Sequence, residues 1–206
     1  IDHNAKFLLA QVARQTPHAL DRVRTLIGKS AETSTTPPLV SLVILTFNQL
    51  EDTTLCLQSV ETHTPEPHEL ILVDNASRDG TVEYLRRYAA ERPHVKVIAN
   101  RENYGFPGGN NLGIALSTAP YVLLLNNDTV VTPGWLSRLV ALCASKPEIG
   151  LVGPCTNRAP GHQQVETGYE DLESMQTFAP TWARAHRDHT DLSLKLVGFC
   201  MLIRSE

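Results

Sequence analysis

The chain has 206 residues, of which 42% are hydrophobic, and a formal net charge of −4. This length and composition suit one soluble α/β domain with a substantial core and exclude a wholly disordered chain. The charge leaves no basic footprint for nucleic acid, and no apolar run approaches the roughly 20 residues that a membrane span needs.

The four cysteines, Cys56, Cys143, Cys155 and Cys200, lie far apart and form no C-x-x-C pair. This usage predicts reduced, mostly buried thiols in a cytoplasmic protein. The chain opens with isoleucine and lacks the apolar centre of a signal peptide. We therefore expect an excised part of a longer parent protein, whose other domains could hold it at the inner face of the membrane.

Two short helices are predicted between residues 2 and 29, where the apolar spacing is partly helical and Pro17 interrupts it. Residues 30–38 are small and polar and end in a double proline, which is typical of a linker. We therefore divide the chain into an N-terminal helical segment with its linker, residues 1–38, and a main domain, residues 39–206.

Strand and helix signals alternate through the main domain. The predicted strands cover residues 40–47, 69–74, 95–99, 121–126 and 150–154, and the predicted helices cover 51–63, 80–91, 109–117 and 134–145. Residues 155–190, rich in Gly, Pro, His and Gln, are predicted to be irregular, and a late strand follows at 194–204. This alternation predicts a mainly parallel sheet flanked by helices.

Polar residues follow three of these strands where they end, at residues 46–48, 74–81 and 126–128. The carboxyl ends of parallel strands share one edge, and ligands bind at that edge. Asp128 there is well placed to hold a divalent cation against a phosphate. The alternative is that Asn126-Asn127-Asp128 only closes the strand, because such residues bond nearby backbone in turns.

A glycine-rich stretch, residues 103–113, precedes the strand that leads to Asp128. Its spacing, Gly105-x-x-Gly108-Gly109, differs from the dinucleotide-binding fingerprint, and it does not follow the first strand. The glycines instead permit close approach of the backbone to a ligand or to a neighbouring strand.

The ordered set of these four segments, between Val40 and Asp128, closely resembles family 2 glycosyltransferases of the GT-A fold. The segments are Thr46-Phe47-Asn48, the run Val-Asp-Asn-Ala-Ser-Arg-Asp-Gly-Thr at 73–81, the stretch at 103–113 and Asn126-Asn127-Asp128. The resemblance implies metal-dependent, inverting transfer of a sugar from a UDP or dTDP donor to a glycan or lipid-linked acceptor of bacterial polysaccharide type.

The resemblance also implies roles for individual residues. Asp128 is expected to bind Mn²⁺ or Mg²⁺, and Asn127 is expected to be structural. Asp74 is expected to accept the imide hydrogen of uracil or thymine, although it could simply be a turn residue, and Asp79 is expected to cap its helix. The nucleotide-binding residues are expected to be Thr46, Asn48, Asp74, Gly105, Asn110 and Asn126. The family places its catalytic base in a segment after the late strand, so we expect the base beyond Glu206.

Two other functions are compatible with these residues. One is a non-catalytic nucleotide-sugar-binding module within a multidomain protein, which turnover by a longer chain would distinguish from an enzyme. The other is a nucleotidyltransferase, which also uses metal and phosphate on a similar sheet. That class needs a basic, glycine-rich phosphate loop near the first strand, and none is seen there.

Overall fold

The computed structural model describes residues 37–205. The two helices predicted between residues 2 and 29, and most of the linker, lie outside this range. The domain boundary at residue 39 therefore stays a prediction.

The described chain contains six strands, five α-helices and one short 3₁₀ turn. The strands are β1 (Val40–Thr46), β2 (His68–Asp74), β3 (Val95–Ala99), β4 (Tyr121–Asn126), β5 (Leu151–Val152) and β6 (Cys200–Arg204). The helices are α1 (Leu50–His63), α2 (Thr81–Ala90), α3 (Gly105–Ala115), α4 (Trp135–Ser145) and α5 (Leu172–Ala185), with the 3₁₀ turn at Gly161–Gln163.

All six strands form one sheet in the order β3-β2-β1-β4-β6-β5. The first four are parallel, whereas β6 runs antiparallel to both β4 and β5. Thr46 is opposite Asp74, and Leu45 is opposite Asn126. The predicted mainly parallel sheet is confirmed, and the register brings the three polar strand ends to the same edge.

Alternation along the strands supplies a core on each face of the sheet. Leu42 and Ile44 belong to the larger cluster, which includes side chains of α1, α2 and α4. Val43 faces the other way and packs with Leu112 of α3. A Cβ at Gly113 would lie 2.3 Å from Val43 Cγ1, so this glycine allows α3 to lie directly on β1.

The prediction that residues 155–190 are irregular is wrong, because α5 occupies Leu172–Ala185. A capping box begins the helix: the Asp171 carboxylate accepts from Ser174 N at 2.8 Å, and Met175 is buried on one face. The composition concealed this helix, since Pro180 lies within it and would ordinarily indicate a break.

Two predicted boundaries are also wrong. Helix α3 begins at Gly105 rather than 109, because Asn103 Oδ1 accepts from Gly105 N at 2.7 Å and Pro107 is tolerated in a first helical turn. Strand β6 begins at Cys200 rather than 194, because Cys200 pairs with Leu125 near the end of β4. The residues before Cys200 therefore extend past the edge of the sheet.

Candidate functional site

The ends of β1 and β2 are joined by a buried hydrogen bond between two predicted site residues. Thr46 Oγ1 donates to Asp74 Oδ1 at 3.2 Å, and Ser77 N donates to Asp74 Oδ2 at 3.0 Å. Thr46 and Asp74 are 0% and 1% exposed. Since a carboxylate oxygen accepts more than one hydrogen bond, Asp74 is oriented by the protein and keeps capacity for a further donor.

The turns that follow β1 and β2 are bonded to each other. Asn48 N donates to Ser77 Oγ at 2.7 Å, and Arg78 N donates to Asn48 Oδ1 at 2.8 Å. Asn48 and Ala76 have φ values of 58° and 67°, in the left-handed region that residues other than glycine seldom adopt. Because surrounding contacts must hold such backbone in place, the two turns form a preorganised unit.

Asp79 connects this unit to two helices. Its Oδ1 accepts from Thr81 N at 3.1 Å and from the Thr81 hydroxyl at 2.6 Å, and its Oδ2 accepts from Leu50 N at 3.0 Å. The bond from the Thr81 hydroxyl is the chief cause that lowers the pKa of Asp79. The predicted capping of α2 is confirmed, and the same carboxylate also caps α1.

Two cavities of about 460 and 420 Å³ open at this edge, on the β2–β3 side of β1. They share Ala76, Arg78 and Arg101; Asn48 lines the larger cavity and Asp74 lines the smaller. Both arginines are exposed. The site therefore combines a carboxylate acceptor with guanidinium donors around one continuous surface.

The predicted metal-binding segment lies on the other side of β1. Asn126 N donates to Phe199 O at 2.8 Å, which links β4 to the residue before β6. Asn127 Nδ2 donates to Thr53 Oγ1 at 3.0 Å, so its predicted structural role is confirmed. Asp128 is exposed on the turn that follows β4. Of these residues, Asp128 is free to meet a ligand from solvent.

The cysteines have the predicted character, since all four are free and three of them, Cys56, Cys143 and Cys200, are buried. Cys56 Sγ lies 3.6 Å from Asn126 O, to which it donates beneath the β4 turn. Burial raises the pKa of this thiol to about 12. Cys56 therefore remains protonated at neutral pH and supports the turn as a packed donor.

Helix α3 places Gly105 and Asn110 beside β1 and β2. Gly105 has a φ of 71°, and its carbonyl accepts from Asn75 Nδ2 at 3.1 Å. Asn110 is 4% exposed, and its Nδ2 donates to Phe106 O at 2.9 Å. The structure thus gives Asn110 a partner within its own helix, and the nucleotide-binding roles of both residues stay predictions.

The donor set at Asp128 fits a hard divalent cation that a bound ligand helps to coordinate. Within residues 37–205, no group of three or more His, Cys, Asp or Glu side chains could hold a metal. Mg²⁺ is commonly held by one or two carboxylates together with water and phosphate oxygens, and a single exposed Asp128 suits that arrangement.

Over residues 37–205, no helix has the length and apolar character of a membrane span.

The three strand ends lie side by side in the order β2, β1, β4. At about 4.8 Å between neighbouring strands, the ends of β2 and β4 are roughly 10 Å apart. An elongated ligand can therefore reach from Asp74 to Asp128 across the end of β1. The fold and this edge define an α/β domain of the Rossmann-like class, whose ligands bind outside the carboxyl ends of the strands.

The family model for glycosyl transferase family 2 matches residues 41–203, and the chain belongs to that family. Glycosyltransferase AglE of Haloferax volcanii is 30% identical over 122 residues, which is 58% of this chain and 40% of that protein. Validoxylamine A glucosyltransferase of Streptomyces hygroscopicus subsp. limoneus is 29% identical over 133 residues, 63% of this chain and 29% of that protein. The chain thus spans less than half the length of either relative.

Solved structures show the same fold. Mannosyltransferase PcManGT from Pyrobaculum calidifontis, in complex with GDP-Man and Mn²⁺, matches 75% of this chain and 46% of its own, with a TM-score of 0.54 and 23% identity. S. aureus TarS 1–349 in complex with UDP-GlcNAc matches 60% of this chain and 37% of its own, with a TM-score of 0.51 and 19% identity. The predicted GT-A fold is confirmed.

Several residues that shape this edge are not among the predicted site residues. Ser77 and Asn75 lie inside a segment already singled out, so their position beside Asp74 was a usable signal. Phe199 had no such signal, because its contact with Asn126 is made by a backbone carbonyl. Arg101 follows β3 in a segment for which no function was predicted.

Proposed function

We propose that the protein transfers a sugar from a UDP or dTDP donor to a glycan or lipid-linked acceptor, with Mn²⁺ or Mg²⁺ bound and with inversion at the anomeric carbon. One observation carries the proposal. In a chain of family 2, the oriented carboxylate of Asp74 and the exposed carboxylate of Asp128 stand at two ends of one polar edge.

The donor's base is proposed to bind at the end of β2. A uracil or thymine ring presents an N–H between two carbonyl oxygens, and Asp74 can accept that hydrogen. Arg78 and Arg101 line the cavity that Asp74 lines, and their guanidinium groups suit the two carbonyl oxygens. Cytosine lacks the ring N–H, and guanine replaces one of the carbonyl oxygens with an amine. The side-chain set therefore favours uracil and thymine.

The diphosphate is proposed to bind at the end of β4. Asp128 would hold the divalent ion there, and Asn126 would face the ribose, as the family resemblance implies. A divalent ion supplies Lewis-acid stabilisation of the negative charge that grows on a departing diphosphate. Asp128 brings one negative charge, so affinity for the ion should be weak until the nucleotide is bound.

The transfer step is proposed to be a single displacement. A general base takes the proton of an acceptor hydroxyl while that oxygen bonds to the anomeric carbon and the diphosphate leaves with the bonding electrons. We place the base after Glu206, in the segment that follows β6 in the resembled family.

We also propose a cytoplasmic location for the protein, because its cysteine usage is typical of reduced thiols.

A thermal-shift titration of the chain with UDP-, dTDP-, CDP- and GDP-sugars, with and without Mn²⁺, tests donor binding. We expect the unfolding temperature to rise most with uridine and deoxythymidine nucleotides, and more when Mn²⁺ is present. Equal shifts with all four nucleotides would contradict the assigned base preference.

A labelled donor, incubated with an acceptor extract and a chain extended beyond Glu206, tests transfer. Label incorporated into the acceptor supports the enzyme. Donor binding without incorporation favours the alternative of a non-catalytic binding module.

A further inference from the structure

Asn75 is almost completely buried, at 2% exposed, and lies directly after Asp74. Its backbone continues the sheet, because Asn75 N donates to Thr46 O at 2.8 Å. Its side chain points away from this ladder toward the segment between β3 and α3. The residue is therefore part of the strand-end region without being available to solvent.

The side-chain amide of Asn75 uses its full hydrogen-bonding capacity on that segment. Nδ2 donates to Asn103 Oδ1 at 3.0 Å and to Gly105 O at 3.1 Å. Oδ1 accepts from Asn100 Nδ2 at 2.9 Å and from Tyr104 N at 3.4 Å. An asparagine amide has two donor hydrogens and two acceptor lone pairs, so all four positions are occupied.

The segment 100–105 that Asn75 holds is a wall of both cavities. Asn103 and Arg101 line the larger cavity, and Asn100 and Arg101 line the smaller. Arg101 and Asn103 are themselves exposed, and residues 100–104 form no helix or strand of their own. Their position therefore depends on tertiary contacts, of which the Asn75 amide supplies several.

The neighbouring helix leaves room for this amide. A Cβ on Gly109 would lie 3.1 Å from Asn75 Nδ2 and 2.3 Å from Leu45 Cδ1. Because glycine has no Cβ, α3 approaches the sheet closely enough for Asn75 to reach Gly105 O at the start of the helix.

We infer that Asn75 is a positioning residue, whose amide fixes residues 100–105 as the wall against which the base of the nucleotide donor binds. This role rests on the proposed function. Asn75 touches neither substrate nor metal in this scheme, and it acts through Arg101 and Asn103. A preformed wall spares the ligand the entropy of ordering the segment, and loss of preorganisation weakens binding without removing any ligand contact.

Asn75→Asp tests the inference, because it keeps the size of the side chain and replaces both donor hydrogens with an acceptor. Gly105 O and Asn103 Oδ1 then lose the hydrogen bonds that Asn75 donates, and Asn103 Oδ1 keeps the bond from Gly105 N. We expect the Kd for UDP, measured by calorimetry, to rise at least about tenfold, and hydrogen exchange to accelerate in the peptide covering residues 100–105. Asn100→Ala removes one of the four bonds and should raise the Kd about threefold, so it provides a milder variant if Asn75→Asp does not fold.

Thr118→Val is the matched control, because it deletes a partly buried hydrogen bond to Glu69 at the amino ends of the strands, on the opposite side of the sheet from the site. It should lower the unfolding temperature while leaving the Kd for UDP and exchange at residues 100–105 unchanged. If both Asn variants bind UDP within twofold of this control and exchange is unaltered, the positioning role is overturned. If the wild-type chain binds none of the nucleotides, the proposed function fails, and the positioning role fails with it.

Discussion

Carboxylates lie both at the amino ends and at the carboxyl ends of the parallel strands, called here the amino edge and the carboxyl edge of the sheet. The protein forms different hydrogen bonds to the carboxylates at these two edges. At the amino edge, Glu69 Oε1 accepts from Ser41 Oγ at 2.6 Å and from Thr118 N at 2.7 Å, and Glu69 Oε2 accepts from Lys96 Nζ at 2.6 Å. At the carboxyl edge, Asp74 has one such bond to each oxygen, and Asp128 is exposed.

This difference separates a structural carboxylate from one that can bind a ligand. A carboxylate whose lone pairs are filled by the protein stabilises the fold, because its desolvation is compensated internally. A carboxylate that is oriented but only partly bonded retains acceptor capacity for an incoming donor or cation. Substitution of the carboxylate at the amino edge should therefore lower the free energy of unfolding, whereas substitution of Asp74 or Asp128 at the carboxyl edge should change ligand binding.

The largest effect is expected from Asp128→Ala. Loss of a direct metal ligand should weaken Mn²⁺-dependent binding of UDP by at least about 100-fold, since even the outer partners of metal ligands commonly contribute 10–100-fold. The unfolding temperature without ligand should not change, because the side chain is exposed. Calorimetric titration with and without Mn²⁺ measures this, and Glu83→Ala on α2 controls for loss of one exposed negative charge. Unchanged metal dependence in Asp128→Ala would remove Asp128 from the site.

Glu69→Gln should have the opposite profile. Replacing the carboxylate weakens the charge-assisted bonds from Lys96, Ser41 and Thr118, and we expect a loss of about 2 kcal/mol in the free energy of unfolding. Nucleotide affinity should stay within twofold of wild type. Urea denaturation measures the stability of this variant, and UDP titration measures its affinity. A fall in affinity together with stability would contradict the distinction between the two edges.

The pH dependence of stability provides a second test at Glu69. Burial alone would raise the pKa of this carboxyl, but the bonds from Lys96, Ser41 and Thr118 lower it below its ordinary value of 4.5. The folded state therefore holds the proton less tightly than the unfolded state. This stabilisation is fully present above pH 4.5 and is lost as the pH falls through the lower folded pKa. Denaturation between neutral and acidic pH should show a smaller loss in Glu69→Gln than in wild type.

Asp74→Asn addresses base preference at the carboxyl edge. In the wild-type chain, UDP should bind about tenfold more tightly than CDP, a difference of roughly 1.4 kcal/mol that one charged hydrogen bond can supply. The substitution keeps the shape but removes the negative charge, so the two affinities should converge. Competition titrations with UDP and CDP measure the ratio, and a ratio that survives the substitution would assign base preference to other residues.

The smallest effect is expected from Asp79→Ala, a carboxylate of the carboxyl edge that the protein uses for its own helices. Loss of its bonds to Leu50 N and Thr81 N should cost about 1 kcal/mol of stability, as for other helix caps. UDP affinity should fall no more than about threefold, because the remaining bonds between Asn48, Ser77 and Arg78 still join the two turns. Asp171→Ala, which uncaps α5, a helix that lines neither cavity, should destabilise without altering affinity.

The predictions that succeeded rest on short-range patterns and on the family resemblance. Alternating strand and helix signals predicted the parallel part of the sheet, and the neighbours of Asp79 in the sequence predicted that it caps α2. The structural role of Asn127 was predicted from the family resemblance, and its partner Thr53 lies 74 residues away. The four bonds of Asn75 depend on partners 25 to 30 residues away, which periodicity and propensity do not report. The start of α3 depends on a side-chain contact, from Gly105 N to Asn103 Oδ1, which these patterns do not report either. Helix α5 was missed for a different reason, because its cap is local but the composition of the segment, with Pro180 inside the helix, favours irregular structure.

The position of β6 between β4 and β5 in the sheet has a consequence for synthesis of the chain. Strand β5 pairs with β6 and lies at the end of the sheet, but β6 follows β5 by 47 intervening residues, 153–199. A nascent chain that has emerged only as far as β5 therefore leaves unpaired the backbone N–H and C=O groups of β4 that later bond to β6, and open strand edges promote self-association. The ribosome must deliver Cys200–Arg204 before this edge closes, so premature termination or slow translation within the intervening region should favour aggregation over folding.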